Sequence, residues 1–236
     1  MNREILKIPD TGTVAFTVND KLTEASVLDR PNRFLVRAVL KGVETLVHLH
    51  DPGRIKELIY PGNRILVRET DGRKTSYSVT AARSHGEWIL LDSRFHNKIA
   101  AAFLPEGCMR EVSVENARLD FACGDCLIEI KGSTLCIDRV ARFPDAPSER
   151  ASRHARILGN IASHGGRALM VFLVFSPAAE SFAPNSLTDL TFAAELSEAV
   201  RKGVELRALK FEFADGKVKF MNEIPCVPGW GKEFHK

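Results

Sequence analysis

Residues 117–134, "ARLDFACGDCLIEIKGST", carry the pattern that most narrows the folds open to this chain. Two runs of strand-forming residues flank Gly124–Asp125, a two-residue turn of the kind that joins antiparallel strands. With that turn Cys123 faces Cys126, and Asp120 falls opposite Glu129 on one face of the sheet, with Cβ atoms about 4.5–5.5 Å apart. Lys131 emerges on the same face, while Leu119, Phe121, Ile128 and Ile130 fill the other. Two opposed carboxylates repel and destabilise a sheet. Either one holds a proton at a raised pKa, or a divalent cation sits between them. Oxygen ligands suit Mg2+ or Mn2+, and the main-chain carbonyl of Ile130 supplies another oxygen. Such an ion acidifies a bound water and holds a phosphate oxygen, with Lys131 placed to orient that water or to stabilise developing negative charge. Asp120, Glu129 and Lys131 are therefore the candidate catalytic set for phosphodiester cleavage. The alternative is an ordinary surface salt bridge of Asp120 with Arg118 or Lys131, and a single bulge would undo the register.

Around this hairpin the chain divides near residue 91. Residues 11–91 read as about five short strands ("RFLVRAVLKG", "ETLVHLH", "NRILVRET", "SYSVTAAR", "EWILLD") with turns at "YPGN" and "TDGR". In the first of these, Phe34, Val36, Ala38 and Leu40 point one way, and Arg33, Leu35, Arg37, Val39 and Lys41 the other. "DPGRIKELI" reads as one or two helical turns with Pro52 near the start. A small closed barrel follows, an OB-fold ahead of an SH3-like one. From residue 92 the expected order is α-β-β-β-α-β-α-β. "DSRFHNKIAAAFL" and "APSERASRHARILGNIASHGG" are helices, and "REVSVENARLDFAC", "CLIEIKGS" and "TLCID" are three successive strands. "RALMVFLVF" is a strand buried on both faces. "LTDLTFAAELSEAVRKG" is a helix, "VELRALKFEF" a strand, and residues 225–236 a tail.

Composition excludes several classes. No apolar run approaches the roughly 20 residues of a membrane helix, and the N-terminus does not resemble a signal peptide. A soluble, cytoplasmic protein without a membrane partner is expected. Five cysteines, an odd number without framework spacing, suit reduced thiols. Cys123-x-x-Cys126 lacks the two further ligands a zinc site needs, so a pair of hairpin-end thiols is expected. The net charge of +3 gives no global pull on nucleic acid, although residues 1–91 hold 14 Lys/Arg against 11 Asp/Glu while the remainder is balanced.

Asp120, eight residues, then "EIK" resembles the D-x(n)-E-x-K core of the PD-(D/E)XK nuclease superfamily. The blocks "RPNRFLVRAVLKG", "PGRIKELIYPGNRILV", "RKTSYSVTA", "LLDSRFHNKI", "RLDF", "IEIKGSTL", "FPDAPSERASRH" and "AAELSEAVRKGVELRAL" resemble, in that order, the sugar fermentation stimulation protein A (SfsA) family over roughly residues 28–210. The resemblance implies a mixed α+β chain: an N-terminal OB-like β-barrel (11–91), then an α/β PD-(D/E)XK nuclease-like domain (92–224) with a mixed sheet flanked by helices. It also implies DNA binding. The block "FPDAPSERASRH" places Asp145, Glu149, Arg150 and His154 at a second polar cluster. Two departures stand out: "LHDPGRI" (49–55) where the pattern has "VPNTGRM", and "EIKGSTL" where it has "EVKSVTL", which puts Gly132 at a serine position.

Arg150 and His154 share a helix face near an N-terminus suited to phosphate, and Glu149 is a further candidate metal ligand or a first-turn charge. Alternatively, His154 is a core histidine and Arg150 pairs with Asp145 or Glu149. Arg33, Arg37 and Lys41, with Arg64, Arg68 and Arg73–Lys74, offer a basic barrel face for nucleic acid, though aromatic residues on it are scarce. The expectation is a DNA-binding protein with a Mg2+- or Mn2+-dependent nuclease site. A non-cleaving DNA-binding regulator of sugar metabolism and an RNA- or nucleotide-processing enzyme are the other readings. Oligomeric state is left open, with a homodimer among the options.

Overall fold

The computed structural model describes residues 5–51, 53–71 and 75–227. Its first strand, β1 (Val14–Thr17), pairs with the last rather than with the barrel, so the barrel proper begins later than residue 11. Five strands make that barrel: β2 (Leu22–Asn32), β3 (Leu35–Leu40), β4 (Val43–His48), β5 (Arg64–Glu69) and β6 (Tyr77–Ser84). They hydrogen-bond in the order β4-β3-β2-β5-β6, and the parallel pairing of His48 with Ser78 closes the ring as an OB barrel. Val36, Ala38 and Leu40 fill its interior as alternation requires. Phe34 departs from that pattern: it precedes β3 and is 42% exposed. The segment before β5 is one helical turn, in which the Leu58 and Ile59 amides both donate to the Ile55 carbonyl. Pro52 and Arg73–Lys74 lie outside the described residues.

A short strand, β7 (Glu87–Leu90), pairs with β6 on one side and β15 (Glu205–Ala214) on the other. One hydrogen-bonded sheet therefore runs from the barrel into the second half of the chain, across the break in sequence pattern. After β7 comes a 3-10 turn (Ser93–Phe95) and α1 (His96–Ala101). Then follow β8 (Met109–Val114), β9 (Ala117–Cys123) and β10 (Cys126–Ser133). What was expected as one strand, "REVSVENARLDFAC", is thus a β8–β9 hairpin. Its turn sits at Glu115, in a left-handed conformation that no glycine or proline announces. Further along, β13 (Arg167–Val174) lies parallel between β10 and β15, buried along its length beyond Arg167. Beside β15 runs β16 (Lys217–Ile224), an addition to the expected order.

"TLCID" does not join this sheet. β11 (Leu135–Ile137), β12 (Val140–Phe143) and β14 (Ser181–Pro184) form a separate three-stranded sheet, and Cys226 adds a bridge to Phe182, so the tail is paired at its start. Two helices, α2 (Glu149–Ser163) and α3 (Leu190–Arg201), cover one face of the main sheet. Asp189 links their N-termini, accepting from its own helix at Phe192 N (2.9 Å) and from Ser148 N (2.8 Å). One hydrophobic cluster fills the barrel and runs under α1; a second lies beneath α2 and α3. No described helix is long and apolar enough to cross a membrane.

The five cysteines are not all reduced: Cys108 and Cys123 are joined in a disulfide, and Cys126, Cys136 and Cys226 are free. The missed hairpin explains the missed bond. Met109 pairs with Ala122, so Cys108 arrives opposite Cys123, with Cα atoms 4.4 Å apart, the spacing of a non-hydrogen-bonded antiparallel pair.

Candidate active site

The β9–β10 ladder has the register that the Gly124–Asp125 turn dictates, pairing Cys123 with Cys126, Ala122 with Leu127 and Phe121 with Ile128. It stops there. At the next position, where Asp120 would pair with Glu129, the strands part, and the Asp120 carboxylate replaces a backbone acceptor: Oδ2 takes the Ile130 amide at 2.8 Å. The faces of β9 also exchange at this residue. Phe121 and Cys123 pack in the barrel-side cluster, whereas Leu119 and Ala117 pack beneath the helices. The expected simple opposition of the two acids is therefore corrected. Asp120 sits at a kink beside Glu129, held by the backbone of the partner strand. Since N–H and C=O of one residue leave a strand on the same side, the Ile130 carbonyl also faces this kink.

Glu129 is 1% exposed and faces α2. Its Oε1 accepts from Lys131 Nζ and lies 2.5 Å from His154 Nδ1. Its Oε2 is buried and, among the described residues, has no hydrogen-bond partner. Asp120 Oδ1 is fixed by Asn97 Nδ2 at 2.8 Å, so α1 contributes a positioning side chain to the site. Nothing in the local pattern singled out Asn97; only the packing of α1 on β10 brings it there.

The two carboxyls titrate apart. Burial, and then the neighbouring charge of Glu129, raise the Asp120 pKa above the usual aspartate range against the opposing pull of Asn97 and the Ile130 amide. Glu129 moves the other way: burial alone would raise it, but Lys131 and His154 together hold it below the ordinary glutamate range. Two neighbouring carboxyls are thus shifted in opposite directions by their surroundings.

Other expected residues disperse. His154 is buried and turned to Glu129, but Arg150, one turn earlier, is exposed at the start of α2, so the pair is split between interior and solvent. Glu149 is exposed and lines a separate cleft with Ser152, Arg153 and Asp189. Among the described residues no three His, Cys, Asp or Glu side chains converge as a metal cage, so Glu149 does not join Asp120 and Glu129. Asp145 turns to the barrel loop, accepting from Ile55 N at 2.8 Å. Arg37 is neutralised by Asp29 and by Glu44 at 3.1 Å, Arg64 pairs with Glu24, and Arg68 is buried against Asp92. Of the two candidate barrel arginines, Arg33 has no carboxylate partner among the described residues.

Gly132 has a local reason to lack a side chain. A Cβ there would fall 2.1 Å from Cε1 of His96, a half-buried residue whose ring stacks on Phe175. Burial lowers the His96 pKa to about 4, so the ring is neutral at pH 7. Gly132→Ala is expected to displace His96 and with it α1, destabilising the fold by about 1–3 kcal/mol, the usual cost of overpacking. Urea unfolding checks this, and a variant as stable as the parent would show that the ring has room to move.

A closed OB barrel sharing one sheet with a mixed α/β unit, whose kinked hairpin buries an Asp–Glu–Lys group, defines a two-domain OB-plus-α/β protein. The comparisons agree in detail: a model described as the SfsA N-terminal OB domain matches residues 28–91, and one described as the sugar fermentation stimulation protein RE domain matches residues 90–217. The chain belongs to the sugar fermentation stimulation protein family. A homologue from Saccharolobus solfataricus is 44% identical over 214 residues, covering 91% of this chain and 89% of its own. One from Thermoplasma volcanium is 46% identical over 209 residues, covering 88% and 96%. The structure of Pyrococcus furiosus SfsA in complex with Ca2+ superposes with a TM-score of 0.85 at 30% identity, over 91% of this chain and 99% of that one.

Proposed function

We propose that this chain binds DNA and hydrolyses phosphodiester bonds with a divalent cation held by Asp120, Glu129 and the Ile130 carbonyl. The observation that carries this reading is the Glu129 Oε2 atom, buried and, among the described residues, without a partner beside a second carboxyl whose pKa burial raises. An unsatisfied buried polar atom costs about 1–3 kcal/mol, and more for a charged group. A structural ion pair alone gives no reason to leave it so. The donors are all oxygens, which suits Mg2+, Mn2+ or Ca2+ rather than a thiolate- or imidazole-seeking metal. The relative's complex with Ca2+ supports the same class of ion.

A bound ion would supply Lewis-acid stabilisation and acidify a water. The chain's own residues do the remainder. Asn97 and the Ile130 amide fix the direction of the Asp120 carboxylate. His154 pins Glu129 from α2. Lys131, on the same carboxylate, is placed to offset negative charge that develops on a phosphate oxygen.

The test is incubation of labelled single- and double-stranded DNA and RNA with Mg2+, Mn2+ or EDTA. Products are expected with either metal and none with EDTA. Intact substrate in every combination would overturn the enzymatic reading and leave a non-cleaving DNA-binding regulator. A proton balance gives an independent check. Because the Asp120 pKa is raised, a proton competes with the cation for that carboxylate at higher pH than it would at an ordinary aspartate. Metal binding should therefore release protons and tighten as pH rises through the Asp120 titration. Calorimetry of Mg2+ binding in two buffers of different ionisation enthalpy measures that release, and buffer-independent heats would count against Asp120 as a ligand.

A further inference from the structure

Outside the candidate active site, the barrel carries a second feature that the site does not use. Phe34 is 42% exposed at the mouth of the β2–β3 turn, held there by its own amide donating to Asn32 Oδ1 at 2.8 Å. A single exposed apolar side chain is ordinary, and what sets Phe34 apart is the company of rings and cations around it. The His48 ring lies nearly parallel to it, at 6° with centroids 6.5 Å apart, and His50 meets His48 edge-on at 4.2 Å. Burial lowers the His50 pKa to about 4, so this ring adds no charge to the ledge at neutral pH. The Arg33 guanidinium lies over one face of the Phe34 ring, 4.8 Å from its centroid, so the opposite face is the one open to stacking.

Arg33 also lines a cleft of about 400 Å³ with Arg30, Arg54 and Lys56, floored by Ile59. The cleft is built rather than incidental. The Arg30 guanidinium ties its two walls together, donating to the Arg33 carbonyl at 3.0 Å, the Gly53 carbonyl at 2.7 Å and the Arg54 carbonyl. Arg33, Arg54 and Lys56 are exposed, and among the described residues none is paired with a carboxylate. Free cations therefore border a flat aromatic ledge, and Arg33 belongs to both.

We infer that this face of the barrel binds single-stranded nucleic acid, with an unpaired base stacked on Phe34 and its phosphates in the Arg33–Arg54–Lys56 cleft. The choice of a single strand follows from the ring. In a duplex both faces of a base are covered by its neighbours, whereas an unstacked base offers a free face to an aromatic side chain. The inference rests on the nucleic-acid reading above but not on cleavage, since neither Asp120, Glu129 nor Lys131 lines the cleft.

Fluorescence anisotropy of the full chain in EDTA, with labelled oligo-dT, oligo-U and a duplex of equal length, tests it without any hydrolysis. Both single strands are expected to bind more tightly than the duplex. Phe34→Ala should weaken single-strand binding roughly ten-fold or more, with Phe34→Trp restoring it. Arg33→Ala combined with Lys56→Ala should flatten the salt dependence. Leu187→Ala, at an exposed leucine of the other domain, should change nothing. Equal affinity for duplex, or an unchanged affinity in Phe34→Ala whose circular dichroism matches the parent, would overturn the inference. Binding in EDTA without cleavage in Mg2+ would sink the nuclease reading alone.

Discussion

Glu129→Gln is expected to lower metal-dependent cleavage at least about 100-fold, because altering the groups that merely orient a metal ligand already costs 10–100-fold. The substitution keeps the shape of the side chain and an oxygen that can accept from Lys131 and His154. What it removes is the negative charge on a carboxylate that those two residues hold ionised. Without that charge the site loses both its strongest claim on a cation and the repulsion that raises Asp120. The Asp120 carboxyl should then titrate closer to its ordinary range, and proton release on adding Mg2+ should shrink with the binding itself. Single-turnover cleavage and calorimetry with Ca2+ read the two effects separately. Parental rates in a correctly folded Glu129→Gln would show that hydrolysis, if present, arises elsewhere.

Asp92→Ala is expected to cost about 3–5 kcal/mol of stability, the range found when one partner of a buried ion pair is removed. Asp92 is fully buried where the barrel meets α1. Its Oδ2 accepts from Arg68 of β5 at 2.8 Å and from Arg94 at 2.7 Å, while Oδ1 takes Arg94 Nε at 2.9 Å and caps the 3-10 turn through Arg94 N. Burial opposes its ionisation, but the two arginines outweigh it and hold the pKa below the ordinary aspartate range. A depressed carboxylate pKa contributes stability that is complete above the unfolded-state value and is lost as pH falls through the folded-state value. The gap between parent and variant should therefore be full at neutral pH and close in strong acid. Urea denaturation across that range measures it, and a pH-independent gap would assign the loss to packing instead. Because α1 also carries Asn97, the same variant should loosen Asp120 and weaken Ca2+ binding.

Much of this was legible from short-range pattern. The alternation around Val36, Ala38 and Leu40 and the spacing of turns pointed to a small barrel, and the Gly124–Asp125 turn set a register that three cross-strand pairs obey. Other elements were too short or too quietly marked to read. β12 and β14 span four residues each, below the length at which a period of two can be recognised, and the pairing of the β11 strand with them rather than with the main sheet has no local signal. The β8–β9 turn uses Glu115 where glycine would have signalled it, and the Cys108–Cys123 bond was hidden with that turn. Arg37 and Phe34 show the same limit in side chains. Alternation assigns each a face, but Asp29 and Glu44 neutralise the arginine, and β3 begins only after the phenylalanine, which stays outside the ladder.

Periodicity and turn chemistry, which depend on neighbours within a few residues, were enough to establish the strand-rich first half, the switch to α/β and the charged hairpin. The direction in which each acid's pKa shifts was beyond their reach. That depends on Asn97 from α1, His154 from α2 and the parting of β9 from β10, groups 23 to 25 residues from the carboxylates they act on. Field strength and desolvation follow distance through space, and folding alone sets those distances.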